Sequence, residues 1–462
     1  MNPFIGLLGI YLLAQPDPVR HELGVHLRAM ESTLKEVTDP GLRQKAIPGL
    51  VDTTMLYFTA QFGKAAQLLD RARHQLRGET EVDPAVLWAE TLAIRLTPKM
   101  VEAGYTKLKV EVTAFYPAGK APPDAQLLLE HLDIKRMSPP IDLKSIPYSG
   151  MVHAAIIPGS QSITAKIVSG KRILATRELP IFAKKNLAKS LQALKDTLEA
   201  TKDKKDLGWL TLRHLESLLS SLAKGEILET DYPLDRIWAQ AESISQSLKA
   251  GRSWPEQPLE PGPYWIALPE GQTSRVVRIL LPAKQSPPEK KLPLVLALHG
   301  AGGSENLFFD GYGTGETARQ CEARGWIMAS PRQGLGPKTL DQLLEILPID
   351  SQKVMLMGHS MGAGQAGAFA AQNPQKLRAT AYLGGGGRVG KGEPYAALPA
   401  FIGIGKLDFA LGSAKTMHSG MQKAGVKKAM FQEYPFVDHL TIVQIAAPDF
   451  FAFFEEALGS EK

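Results

Sequence analysis

The sequence predicts an α/β chain: a mostly parallel sheet over residues 257–462, preceded by an N-terminal helical region with a small antiparallel β unit. Three observations predict it. Helical periodicity gives way to strict alternation near residue 97 and returns near 183. A proline-rich polar stretch from Ser253 to Pro263 then marks a boundary, and beyond it short continuous apolar runs alternate with helical text. Strands that are apolar throughout are buried on both faces, which specifies parallel strands covered by helices.

Taken in order, Pro3 to Ala14 is an apolar run closed by Gln15-Pro16-Asp17-Pro18. It is too short to span a bilayer and suits the apolar part of an export signal over residues 1–14, although no Lys or Arg precedes it. The alternative is an N-terminal helix docked on the core. Export would place the protein in the periplasm or outside the cell, against a cytoplasmic alternative. Val19, Leu23, Leu27, Met30, Leu34 and Val37 recur at steps of three and four, so residues 15–96 read as a helical region. Leu108, Val110 and Val112 then alternate with Lys107, Lys109 and Glu111, and Ser169-Gly170 carries a hairpin signal; residues 97–182 read as a β-sandwich-like unit. Leu187, Leu191, Leu194 and Leu198, then Leu212, Leu215, Leu219 and Leu222, return to helix, so 183–256 is a helical region and linker. These leucines are core positions, and nothing in the first 250 residues clusters catalytic types.

Composition narrows the class. With 462 residues, 44% of them hydrophobic and 22% charged, the chain has the make-up of a multidomain globular protein. A single cysteine, Cys321, excludes an intramolecular disulfide and cysteine-built metal centres; its place after a glycine-rich turn reads as packing. A balance of 53 basic to 47 acidic residues, with no dense basic block, argues against a nucleic-acid partner.

The chemistry lies in the last 200 residues. Val354 to Met357 is a short apolar strand running into Gly358-His359-Ser360-Met361-Gly362, and small residues follow as a helix. A serine at a sharp strand-to-helix turn is lifted clear of the sheet, and glycines flank it because side chains there would collide with backbone. The hydroxyl needs a base, and the base an orienting carboxylate. Asp408 follows a strand in Ile402-Gly403-Ile404-Gly405-Lys406-Leu407-Asp408, and His439 sits on a loop before the last helix. Asp438 is the rival acid, disfavoured because adjacent residues rarely aim at one another; His418 reads as surface or packing, and His359 as packing beside the serine. Oxyanion donors are expected from the N–H of Met361 and, after the earlier apolar strand, of Ala301 in His299-Gly300-Ala301-Gly302. Phe308, Phe309, Tyr312 and Phe409 are candidates for an acyl pocket, with plain core packing as the alternative. Gly362-x-Gly364-x-x-Gly367 matches a dinucleotide fingerprint, but the acidic residue expected about twenty positions on is missing, so no nucleotide cofactor is expected. No metal or other cofactor is expected either.

The segments LALHGAGG, MLMGHSMGAG, IGIGKLDF and YPFVDHL together resemble the α/β-hydrolase superfamily. Within it, they are most similar to the esterase-D, polyhydroxybutyrate-depolymerase and dienelactone-hydrolase-like group and to prolyl-oligopeptidase catalytic domains. The resemblance implies a Ser360–His439–Asp408 triad cleaving carboxylic esters through an acyl-enzyme, with a small-molecule or polymer-linked ester as partner and no stable membrane insertion. A prolyl-oligopeptidase-like serine peptidase and a non-catalytic hydrolase-like binding protein are the alternatives. No blade-like repeat marks a propeller. The connections Pro331–Thr339 and Leu383–Ala400 are short at the usual places for a lid, so an open, lidless cleft is expected. Nothing in the sequence sets an oligomeric state.

Overall fold

The computed structural model describes residues 17–131, 137–283 and 291–459. The expected signal segment, 1–14, lies outside the described residues. Among them, no helix is long and apolar enough to cross a membrane.

The chain opens with helices α1 (Asp17–Glu36), α2 (Pro40–Ala46), α3 (Thr53–Phe58), α4 (Phe62–Leu76) and α5 (Pro84–Glu90). Local chemistry starts several of them. Asp39 and Asp83 accept the N–H of Gly41 and Ala85 at 2.7 Å, each just ahead of a helix-initiating proline. The apolar stripe read along α1 is the one it buries: Leu23, Met30 and Leu34 join Leu69 and Leu76 of α4 in one small core.

Strands β1 (Leu92–Thr97), β2 (Met100–Glu102), β3 (Gly104–Ala114), β4 (Ala125–His131), β5 (Ile141–Asp142), β6 (Tyr148–Ile156), β7 (Gly159–Ser169) and β8 (Arg172–Lys184) follow. They form two sheets, β1-β3-β6 and β2-β8-β7-β4-β5, whose inner faces enclose a separate core. The alternation read over Leu108, Val110 and Val112 points those side chains inward. The β7–β8 turn places Gly170 at φ +56, a conformation that glycine adopts without penalty.

Helices α6 (Leu187–Ala200), α7 (Leu207–Ala223) and α8 (Leu234–Lys249) come next. Their leucines are not a free-standing bundle: they pack in the same core as Trp265, Ile266 and Ile279 of the large sheet. That sheet comprises β9 (Gly262–Glu270), β10 (Thr273–Leu281), β11 (Leu292–Leu298), β12 (Ile327–Pro331), β13 (Ile349–His359), β14 (Ala379–Leu383), β15 (Ala400–Gly405) and β16 (Ala429–Tyr434). The spatial order is β9-β10-β12-β11-β13-β14-β15-β16, with β9 and β10 antiparallel at one edge and the rest parallel. Its intervening helices are α9 (Leu307–Asp310), α10 (Tyr312–Arg324), α11 (Thr339–Ile346), α12 (Met361–Gln372), α13 (Glu393–Ala396), α14 (Leu411–Lys423) and α15 (Ile442–Gly459). The second face is sealed by α10 and the phenylalanine-rich α15, and Cys321 is fully buried there, its thiol pushed up by desolvation.

Candidate active site

Three loops at the carboxyl ends of β13, β15 and β16 bring the candidate residues together. Ser360 turns the chain from β13 into α12 with φ +55 and ψ −118, a conformation an L-residue holds only under constraint. Two things constrain it. Its N–H donates to the Leu383 carbonyl at 2.9 Å. Gly358 and Gly362 let backbones touch: a Cβ at Gly358 would fall 2.2 Å from the Gly362 carbonyl oxygen, and one at Gly362 would fall 2.0 Å from that of Leu298.

The Ser360 Oγ lies 2.9 Å from His439 Nε2, and His439 Nδ1 lies 2.9 and 3.0 Å from the two oxygens of Asp408. With Nδ1–H donating to the carboxylate, Nε2 is left as the acceptor for the serine hydroxyl. Asp408 and His439 are both buried. Asp438 is held elsewhere: its Oδ1 accepts from the Thr441 N–H at 3.1 Å and hydroxyl at 2.5 Å. Its second oxygen is buried without a partner, and desolvation raises its pKa. His418 stacks on Phe431 of β16.

His359 does more than pack. The Tyr312 hydroxyl lies 2.7 Å from its Nδ1, and its Nε2 is 2.9 Å from the carbonyl oxygen of His439. Burial holds His359 well below the ordinary histidine range, so it is neutral, with Nε2–H donating to that carbonyl and Nδ1 accepting from the tyrosine. The Gly300 N–H in turn donates to the Tyr312 oxygen at 3.2 Å. One buried chain therefore ties the glycine turn after β11 to the backbone of His439.

Ala301 sits in that turn, facing the cleft that Ser360 and His439 also line. Met361 follows Ser360 at the first position of α12. Neither N–H has an acceptor among the described residues, as groups aimed at a substrate oxygen require. Of the four aromatic candidates only Tyr312 lines the cleft. Phe308 is core, Phe309 lies under the Arg278 guanidinium, and exposed Phe409 packs on the His439 ring at 4.3 Å. Gly367 of the dinucleotide-like motif is a packing residue, a Cβ there falling 3.1 Å from Gly387. Among the described residues no cluster of His, Cys, Asp or Glu could hold a metal ion.

The short connections carry no lid, but the cleft gains a wall from elsewhere in the chain. A cavity of about 210 Å³, mostly apolar, is walled on one side by α1 and α3, through Arg20, Leu23, Leu27, Tyr57 and Phe58. No lid is inserted between the strands; the wall comes instead from the far N-terminal end of the chain. Leu407 and Leu440, neighbours of Asp408 and His439, pack against the same helices. The contact is also polar: Arg20 Nη2 donates to the Gly302 carbonyl at 2.9 Å and the Tyr57 hydroxyl to the same oxygen at 3.2 Å. Arg20 pairs with Glu229 at 3.1 Å, and Glu229 with Arg332, which grips Glu305 beside the turn. Sequence reading missed Arg20, Tyr57 and Glu229, since a helix face carries no sign of the loop it will touch.

Strand order, elbow and the chain order Ser, Asp, His define an α/β-hydrolase fold for the C-terminal part of the chain. No family model matches the chain, and no curated protein matches its sequence. Solved structures similar to it include esterases and serine hydrolases. S-formylglutathione hydrolase FrmB from Staphylococcus aureus is 15% identical with a TM-score of 0.36, over 42% of this chain and 99% of its own. The ferulic acid esterase AmCE1/Fae1A from Anaeromyces mucronatus is 18% identical with a TM-score of 0.36, over 45% of this chain and 95% of its own. A bacterial heroin esterase is 13% identical with a TM-score of 0.35, over 48% and 92%.

Proposed function

We propose that this protein is a serine hydrolase that cleaves carboxylic esters through an acyl-enzyme on Ser360. The observation that carries the reading is the unbroken line Asp408–His439–Ser360 at 2.9 Å steps, opening into a largely apolar cleft. His439 takes the Ser360 proton as Oγ attacks the ester carbonyl, and Asp408 stabilises the resulting imidazolium. The oxyanion meets the N–H groups of Met361 and Ala301. The same proton then passes to the departing alkoxide. Water attacks the acyl-enzyme with His439 as base, releasing the acid.

The partner is a small-molecule or polymer-linked ester. The small, mostly apolar cleft of about 210 Å³ favours a compact ester over an extended polypeptide. Labelling with a fluorophosphonate, compared in native protein and Ser360→Ala, tests the reading together with a panel of short-chain, long-chain and aromatic esters against peptide anilides. Ser360→Ala is expected to lose labelling and about 10⁴–10⁶ in turnover. Native protein that takes no label would identify a non-catalytic relative, and faster anilide than ester cleavage would identify a peptidase. Export rests on residues 1–14 alone, and N-terminal sequencing of protein recovered outside the cytoplasm tests it.

A further inference from the structure

The cleft beside Ser360 carries four formally charged residues apart from its histidines: Arg20, Arg28, Glu229 and Asp310. Three are matched. Arg20 pairs with Glu229 at 3.1 Å, and Asp310 pairs with Arg278 at 3.0 Å while accepting from Thr230 at 3.1 Å. Arg28 has no ion pair and no hydrogen bond among the described residues. It lies on the face of α1 that also presents Arg20, Leu23, Gly24 and Leu27 to the cleft, at helical spacings of three, four, seven and eight. Gly24 makes room for it. A Cβ there would sit 3.0 Å from Arg28 Nη1, so the guanidinium folds back along bare helix backbone within the cleft. Glycine inside a helix costs about 1 kcal/mol relative to alanine, which gives its presence here a steric reason.

A second observation points the same way. Thr53 and Thr54 of α3 line the same cleft, and both hydroxyls are buried with no hydrogen-bond partner. A guanidinium held in no ion pair, its nearest acid the buried Glu31 of the same helix, and two unpartnered hydroxyls on the wall of an apolar cavity are the complement of an anion.

Resting on the ester-hydrolase reading above, we infer that the substrates are esters carrying an anionic group on an otherwise apolar body, and that Arg28, Thr53 and Thr54 form the subsite for that group. A carboxylate and a phosphate monoester share this chemistry. Arg28 would act on specificity: it binds the charged end of the substrate while Ser360 attacks the ester carbonyl.

The test uses matched pairs that differ in one anionic group. 4-Nitrophenyl butyrate is compared with 4-nitrophenyl hemiglutarate, and phenyl acetate with 4-acetoxybenzoate and with 4-acetoxyphenyl phosphate. In the full-length protein the anionic member is expected to have the higher kcat/KM, by about tenfold or more at low salt, with the preference shrinking as ionic strength rises. Arg28→Gln is expected to lower the anionic-to-neutral ratio by about 10–100-fold, and Arg28→Lys by less. The benzoate and phosphate arms decide which anion is taken. A wild-type ratio near or below one in every pair would overturn the inference without any variant. So would an Arg28→Gln ratio equal to wild type. Fluorophosphonate labelling of Ser360 separates the two readings: labelled protein with no charge preference sinks the subsite alone, and unlabelled protein inert towards every ester sinks both.

Discussion

Two candidate acids illustrate what a single side chain contributes. Asp408 faces His439 Nδ1 through both oxygens, whereas Asp438 spends its reachable oxygen on Thr441. Asp408→Asn keeps the shape but lets the amide donate to Nδ1, turning the histidine to the wrong tautomer for accepting the serine proton. It is expected to lower kcat by about 10³–10⁴, against less than about tenfold for Asp438→Asn, in steady-state assays of a cleaved ester. Equal losses would reassign the orienting acid. The choice between them was partly legible in sequence, because neighbouring residues rarely aim at each other. The engagement of His359 with the carbonyl of His439 was not, since it depends on a tyrosine 47 residues upstream folding into the same pocket.

Turns hold the site at the scale of elements. Gly362→Ala would set a methyl 2.0 Å from the Leu298 carbonyl oxygen, backbone against backbone, with no side chain able to yield. It is expected to cost well over about 2 kcal/mol in urea unfolding and to abolish labelling of Ser360. A second turn is less obvious. Tyr312, Gly313, Thr314 and Gly315 all have φ between +48 and +83, a left-handed stretch that costs about 1–2 kcal/mol for each non-glycine residue. The carboxylate of Glu31 on α1 accepts the Thr314 N–H at 3.1 Å and steadies it. Burial raises the Glu31 pKa to about 7, opposed by those backbone N–H groups and by Arg28. Because the folded value lies above the ordinary one, the stabilising contribution is full when the pH is below the unfolded pKa and is lost as pH rises through about 7. Glu31→Gln keeps an acceptor without the charge. Its melting temperature is therefore expected to gain on wild type between about pH 5 and pH 8. A gap that stays constant across that range would show that Glu31 does not titrate there.

The whole molecule decides how the cleft is walled. Arg20 and Tyr57 reach more than 240 residues along the chain to hold the Gly302 carbonyl, one peptide beyond the candidate donor Ala301. Arg20→Met is expected to lower kcat by about 10–100-fold with a smaller change in KM, and Tyr57→Phe by only a few-fold. Equal changes in kcat and KM for Arg20→Met would point to substrate binding in place of loop positioning. The sequence by itself determined the elements that local pattern encodes: the alternation in β3, the stripe on α1, the apolar parallel strands, and the glycine-flanked serine between strand and helix. Each of these is set by side-chain period or by backbone sterics within a few residues. Only the tertiary structure decided that α1 and α3 wall the cleft, that α6, α7 and α8 share the core of the large sheet, and that Arg28 lines the same cleft as Ser360 without an ion pair. Those outcomes depend on which distant surfaces bury each other, and an apolar stripe says that it will be covered without saying by what.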